Sequence, residues 1–170
     1  MPIHQSPSRA LVASALLMGA IVVSATALAC GSDNNTTAVP KDVTFSTTMN
    51  GAGEFPAKNV AGTGTATIVK SATGGTYTYT INYTGMSGPL TGAHIHGPAT
   101  TGVNANVIVP FNTTGAGASG TLTGTFATTN TPTITNDSLD ALMRTGNAYV
   151  NLHTAANPGG EIRGQLLQQP

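Results

Sequence analysis

Charge is what this sequence has least of. Only 7% of its 170 residues are Asp, Glu, Lys or Arg, six acidic against six basic, where roughly a quarter is usual in soluble domains. A chain without basic excess cannot replace the counterions of a nucleic acid backbone, which takes clustered Lys and Arg. Nor can it bind an anionic membrane surface through a polybasic patch. Trp is absent and Cys occurs once, so no intrachain disulfide forms and stability rests on strand pairing and packing. Catalytic signatures are missing too. There is no G-x-S-x-G elbow and no H-E-x-x-H, and "GTGTAT" (Gly62 to Thr67) lacks the Gly-Lys of a phosphate loop. These absences point away from an enzyme without excluding one. What is abundant is Thr and Gly. Thr on this scale with little charge fits β-structure facing solvent rather than disorder.

The first thirty residues differ from the rest. A polar start with Arg9 precedes the uncharged run Ala10 to Ala29, and the only Cys follows at position 30. A positive start, an apolar stretch and small residues before a cut site describe a secretory signal. An apolar run of about 20 residues also suffices to span a bilayer, and ordinary signal cleavage would leave no lipid. The place of the sole Cys favours a third reading. "ALAC" (Ala27 to Cys30) resembles a bacterial lipobox, with Ala27 where Leu is commonest, and implies lipidation of Cys30. The expected organisation is a signal peptide over 1–29, a lipidated tether over 30–41 and one domain over 42–168. The protein is expected in the cell envelope, outside the cytoplasmic membrane and on the outer membrane if the host has one. Its expected partner is the membrane, through the lipid anchor; nucleic acid is not one.

After the tether the chain alternates short strand-like segments with turn residues. "TYTYTINYT" (Thr76 to Thr84) is the cleanest, with Tyr77, Tyr79, Ile81 and Tyr83 on one face and Thr or Asn on the other. Gly74 and Gly75 before it suit a hairpin turn. Further strands are expected in the segments starting at Asp42, Gly62, Gly92, Asn104, Ser119, Asn147 and Gly160. One helix is expected in "TNDSLDALMRTGN", capped by Asn136 or Asp137, with Leu139, Leu142 and Met143 on the core side and Gly146 as its stop. In "NPGGE", Pro158 and Gly159 supply turn chemistry.

All histidines beyond the leader fall in two of these strands. In "GAHIHGPA", His94 and His96 sit two residues apart, so on a strand they share a face, about 6.6 Å apart along the backbone. In "YVNLHT", Tyr149, Asn151 and His153 share one face and Val150 and Leu152 the other. If Ile95, Val150 and Leu152 point to the core, His94, His96 and His153 all lie on the outer side. Three imidazoles without a fourth protein ligand describe an open transition-metal site, and copper and zinc both suit them. Binding would weaken as pH falls through about 6.5, the usual imidazole pKa. The competing reading is plain: exposed histidines that hydrogen-bond to neighbouring strands. Glu161 and Arg163 in "GGEIRGQL" also share a face. They form either a surface ion pair or, beside the site, a ligand or orienter of His153 (Glu161) and an anion-attracting cation (Arg163).

"GAHIHGPA", "LMRTGNAYV", "YVNLHT" and "NPGGEIRGQL", in this order, resemble the CHRD domain, named for chordin and found in bacterial secreted proteins. The resemblance covers about Asp42 to Leu167 and implies a β-sandwich. It implies a fold more than a function, and chordin's binding of growth factors does not transfer to a lipoprotein. A weaker similarity is to copper–zinc superoxide dismutase, in which His94, His96, His153 and Arg163 would play the parts of copper ligands and guiding cation. That family's bridging histidine, its remaining zinc ligands and its disulfide cysteines have no counterpart here. The expected fold is therefore all-β, a Greek-key-like antiparallel β-sandwich with one short helix. The expected function is a non-catalytic binding or surface module. The alternative is a copper- or zinc-binding protein with a three-histidine site, extending to dismutase-like redox chemistry.

Overall fold

The structure is a computed structural model and describes residues 39–128 and 134–170. The leader, Cys30 and all but the end of the tether lie outside the described residues. In chain order the elements are β1 (Val43–Asn50), β2 (Thr63–Lys70), β3 (Thr76–Thr84), β4 (Leu90–His96), β5 (Val107–Pro110) and β6 (Gly120–Ala127). Then come α1 (Asn136–Arg144), β7 (Tyr149–Thr154), β8 (Ile162–Gln165) and β9 (Leu167–Gln168). A 3-10 turn, Gly51–Gly53, follows β1.

Local pattern becomes structure most plainly in β3. Tyr77, Tyr79, Ile81 and Tyr83 are buried, while the intervening Thr and Asn face solvent. The period of two thus decides which face packs. β3 pairs with β2 across the Gly74–Gly75 turn and with β6 on its other edge, and β1 pairs with β2. Tyr77 stacks on Phe126 at 4.9 Å between ring centroids, which ties β3 to β6 on the inner face.

All pairings are antiparallel, in the order β5-β4-β7-β8-β1-β2-β3-β6, with β9 also alongside β1. The expected two-sheet sandwich is thus one continuous sheet curled into a half-barrel. Its two four-stranded parts meet at a narrow seam. There β8 pairs in register with β1 only at Asn50–Arg163, and β9 adds the pairs Phe45–Gln168 and Ser46–Leu167. The cause is local. The segment read as one closing strand is interrupted at the fully buried Leu166, and its end crosses to β1 as β9. Phe45, Ile68 and Ile81 from one part and Ile95, Val150 and Leu152 from the other fill one core.

The helix forms where expected, with its cap one residue earlier. The Thr135 hydroxyl oxygen, not Asn136 or Asp137, accepts from the Ser138 N–H at 3.2 Å. Leu139 and Met143 are fully buried and Leu142 half-buried, and Gly146 takes φ +69° just past the end. In the turn before β8, Gly160 rather than Gly159 takes the positive φ, +123°.

Candidate metal centre

β4 and β7 lie side by side, and their register sets the site. Gly92 faces His153, His94 faces Asn151 and His96 faces Tyr149. Ile95, Val150 and Leu152 are fully buried in the core, so the three histidines do share the opposite face. That face is not the open surface the sequence implied. All six residues of β7 are buried on both sides, and His96 and His153 are each only 9% exposed. Loops 51–62 and 97–106 and the 155–161 turn fold over it. Glu54, Ala105 and Pro158 from these three segments bond to Asn151, His96 and His153.

The three rings form a triangle with centroids 4.9, 5.5 and 5.9 Å apart. One nitrogen from each lies within 4.8 Å of the others. His94 Nδ1 and His153 Nε2 are 3.1 Å apart. Nitrogens held about 2.0–2.1 Å from one ion sit roughly 3.4 Å from each other, so this pair already has the spacing of metal ligands. Two local features place the rings. β4 shifts register against β5 between Ile95 and His96, and such bulges re-aim side chains. Gly92 leaves the site face empty beside His94, where a Cβ would meet His94 Cε1 at 2.8 Å.

The hydrogen bonds fix the proton on two of the rings. A carbonyl oxygen only accepts, so His96 Nδ1–H donates to Ala105 O at 2.9 Å and His153 Nδ1–H donates to Pro158 O at 3.0 Å. Each ring then presents an unprotonated Nε2. That of His153 accepts from His94 Nδ1–H at 3.1 Å, a proton an ion there would displace to His94 Nε2, and that of His96 is buried with no partner among the described residues. A buried acceptor left unpaired costs about 1–3 kcal/mol, which a bound cation would offset. Burial lowers all three pKa values. For His94 burial acts first and the neighbouring His153 and His96 add to it, bringing the value to about 4. Burial likewise dominates at His96 and His153, against the upward pull of their backbone acceptors. Neutral rings with aimed lone pairs are the form that coordinates metal.

Neither Glu161 nor Arg163 bonds to one of the three histidines among the described residues. They make no ion pair with each other among the described residues. Glu161 is fully buried but does not reach His153. It accepts from Ser87 N–H at 2.7 Å and from Asn157 Nδ2 at 3.0 Å, and also from the hydroxyls of Ser87 and Thr154. Burial pushes its carboxyl up, and these hydrogen bonds outweigh that and hold it below the usual carboxylate range. It ties the 155–161 turn to the end of β7. Arg163 is 2% exposed, and its guanidinium carbon lies 3.4 Å from the Tyr149 ring centroid. Tyr149 in turn stacks on His96, at 5.0 Å and 5°. β8 and β4 flank β7 on opposite sides, so Tyr149 separates the cation from the histidines. One aromatic ring therefore lies between Arg163 and His96, and the guanidinium charge still adds to the lowering of the His96 pKa.

Glu54 and Asn151 escaped the sequence reading. Asn151 Nδ2 donates to Glu54 Oε1 at 2.8 Å, both side chains being buried. Burial raises the Glu54 carboxyl, against the Asn151 hydrogen bond and the charges of Arg163 and Lys58. Asn151 shares a face with His153 at the period of two, which was the available signal. No pattern in the sequence pairs it with a residue 97 positions away.

Zinc and copper both fit a donor set of three neutral imidazoles. Such an ion would be held by His94, His96 and His153, with a further coordination position left to solvent or a ligand. No curated protein and no solved structure gives a match to the chain. A family model, the CHRD domain, matches residues 45–166, a span that contains the three histidines, Tyr149 and Arg163. On that match, over most of its length, the chain belongs to the CHRD domain family.

Proposed function

We propose that this CHRD domain is a non-catalytic metal-binding module, carrying one copper or zinc ion on His94, His96 and His153. The observation that carries the reading is the buried Nε2 of His96, unpartnered among the described residues, beside the close His94–His153 pair. An imidazole that served only packing would have its lone pair satisfied. Binding is favoured over turnover because the two nearby buried carboxylates, Glu54 and Glu161, spend their hydrogen bonds on Asn151 and on Ser87, Thr154 and Asn157. Dismutase-like chemistry is less favoured, since the Tyr149 ring lies between His96 and Arg163, its expected anion guide. Protein purified without added metal should contain near one equivalent of copper or zinc by elemental analysis. Metal-free protein that takes up neither ion would refute the reading.

The module is proposed to be held outside the cytoplasmic membrane by lipid on Cys30, on the strength of the "ALAC" signature. Cys30→Ser should leave the precursor uncleaved; unchanged mobility and membrane fractionation would contradict this. A second reading, contact with a protein partner, is favoured by one observation. Of the large exposed apolar residues, Phe55 and Val103 lie on the two loops that cover the histidines, and Val107 opens β5 beside them.

A further inference from the structure

Loop 97–106, between β4 and β5, carries the Ala105 carbonyl that accepts from His96. It has no regular secondary structure of its own, so its place depends on what ties it down. Much of the tying comes from β8. Arg163 Nη2 donates to Thr100 O at 3.2 Å and Nη1 to Asn104 Oδ1 at 3.2 Å. Gln165 Nε2 donates to Ala99 O at 2.6 Å. The Ala105 N–H donates to the Tyr149 hydroxyl at 3.1 Å, and it is on the Tyr149 ring that Arg163 lies. The same residue of the loop thus holds Tyr149 by its N–H and His96 by its carbonyl, while the two rings stack face to face.

We infer that Arg163 is a positioning residue for the metal site: it holds loop 97–106 and the Tyr149 ring so that the Ala105 carbonyl fixes the proton of His96 on Nδ1 and leaves Nε2 as the ligand atom. The inference rests on the proposed metal function only for its effect on affinity. The arrangement of the metal-free protein stands without it. Arg163 suits the task because a planar guanidinium directs several donors at fixed angles while its face covers an aromatic ring. Lysine has the charge without the fork. A guiding cation would tolerate Arg163→Lys, and a positioning residue would not.

The test uses the metal-free folded domain at neutral pH. Long-range nitrogen–proton correlation spectra distinguish Nδ1–H from Nε2–H imidazole. In the wild type, His96 and His153 should both carry the proton on Nδ1. In Arg163→Lys and Arg163→Gln, His96 should shift to a mixture of tautomers. His153 should not change, because its acceptor is Pro158 and not loop 97–106. Zinc affinity should fall about 10- to 100-fold in both variants, the range found when a group orienting a ligand is removed. If either variant fails to fold, Asn104→Ala, at a solvent-exposed position, removes one Arg163 bond together with the bond to Phe55 O and should shift His96 in the same direction by less, whereas Asn104→Asp, which loses only the Phe55 bond, should not. An unchanged His96 tautomer in the folded variants would overturn the inference, as would full affinity in Arg163→Lys. A His96 shift in a protein whose wild type binds no metal would uphold the inference and reject the metal reading.

Discussion

The ring of His94 occupies the space that a side chain at Gly92 would fill. A Cβ there would lie 2.8 Å from His94 Cε1 and 3.4 Å from Nε2, with His153 Cδ2 at 3.6 Å. The clashing atoms are the far end of a side chain that can rotate, so Gly92→Ala should cost little stability, within about 1 kcal/mol. It should nevertheless turn His94 away from His153 and weaken zinc or copper binding by about ten-fold or more. Thermal melts and a metal titration on the same protein check both halves. Unchanged affinity would mean that the His94 position is not needed for binding.

The depressed pKa values change the expected pH dependence. An ordinary imidazole protonates near 6.5, whereas His94 in the fold does so at about 4, with His96 and His153 also lowered. Below pH 6.5 the unfolded chain takes up protons that the folded chain refuses. The stability contributed by the neutral rings is therefore complete above 6.5 and is lost as pH falls towards about 4. Metal binding needs no deprotonation of His94 until the pH approaches that lower value. Affinity should therefore begin to fall at a pH below 6.5 rather than at it, since all three rings are lowered. Titrations at unit intervals of pH check this. A steep loss starting at 6.5 would show that the rings are solvated like free imidazole.

The alternation in β3 makes a prediction about the core. Ile81 is fully buried, and Thr80 beside it is exposed. Ile81→Ala should cost about 2–5 kcal/mol, the range for deleting a buried Ile side chain. Thr80→Ala should stay within about 0.5 kcal/mol, as exposed positions usually do. Denaturant melts of the two variants check the assignment, and equal midpoints would contradict it.

Much of this was legible in the sequence because strand parity is a local rule. Parity put Tyr77, Tyr79, Ile81 and Tyr83 on one face, and it put His94, His96 and His153 on the face opposite Ile95, Val150 and Leu152. Parity does not say what covers a face. The burial of the histidines depends on loops whose bonds are long-range, such as Glu54 to Asn151 and Asn104 to Phe55. The same limit holds for Arg163. Its face was read correctly, but the intervening Tyr149 ring is a matter of strand order, which no local pattern encodes. The single curled sheet likewise follows from a crossing at Leu166 between strands far apart in sequence.

The central claim is that His94, His96 and His153 act together as one metal site. Its most direct test is a competition titration of metal-free protein with zinc or copper(II), comparing the wild type, each single His→Ala variant and the triple variant. The wild type should bind close to one equivalent. Each single variant should lose affinity severely and to a similar degree, and the triple variant should bind none at this site. Equal metal uptake by the triple variant would contradict the claim. So would a His153→Ala variant indistinguishable from wild type, since His94 and His96 alone would then be a two-ligand pair that chelates by chance.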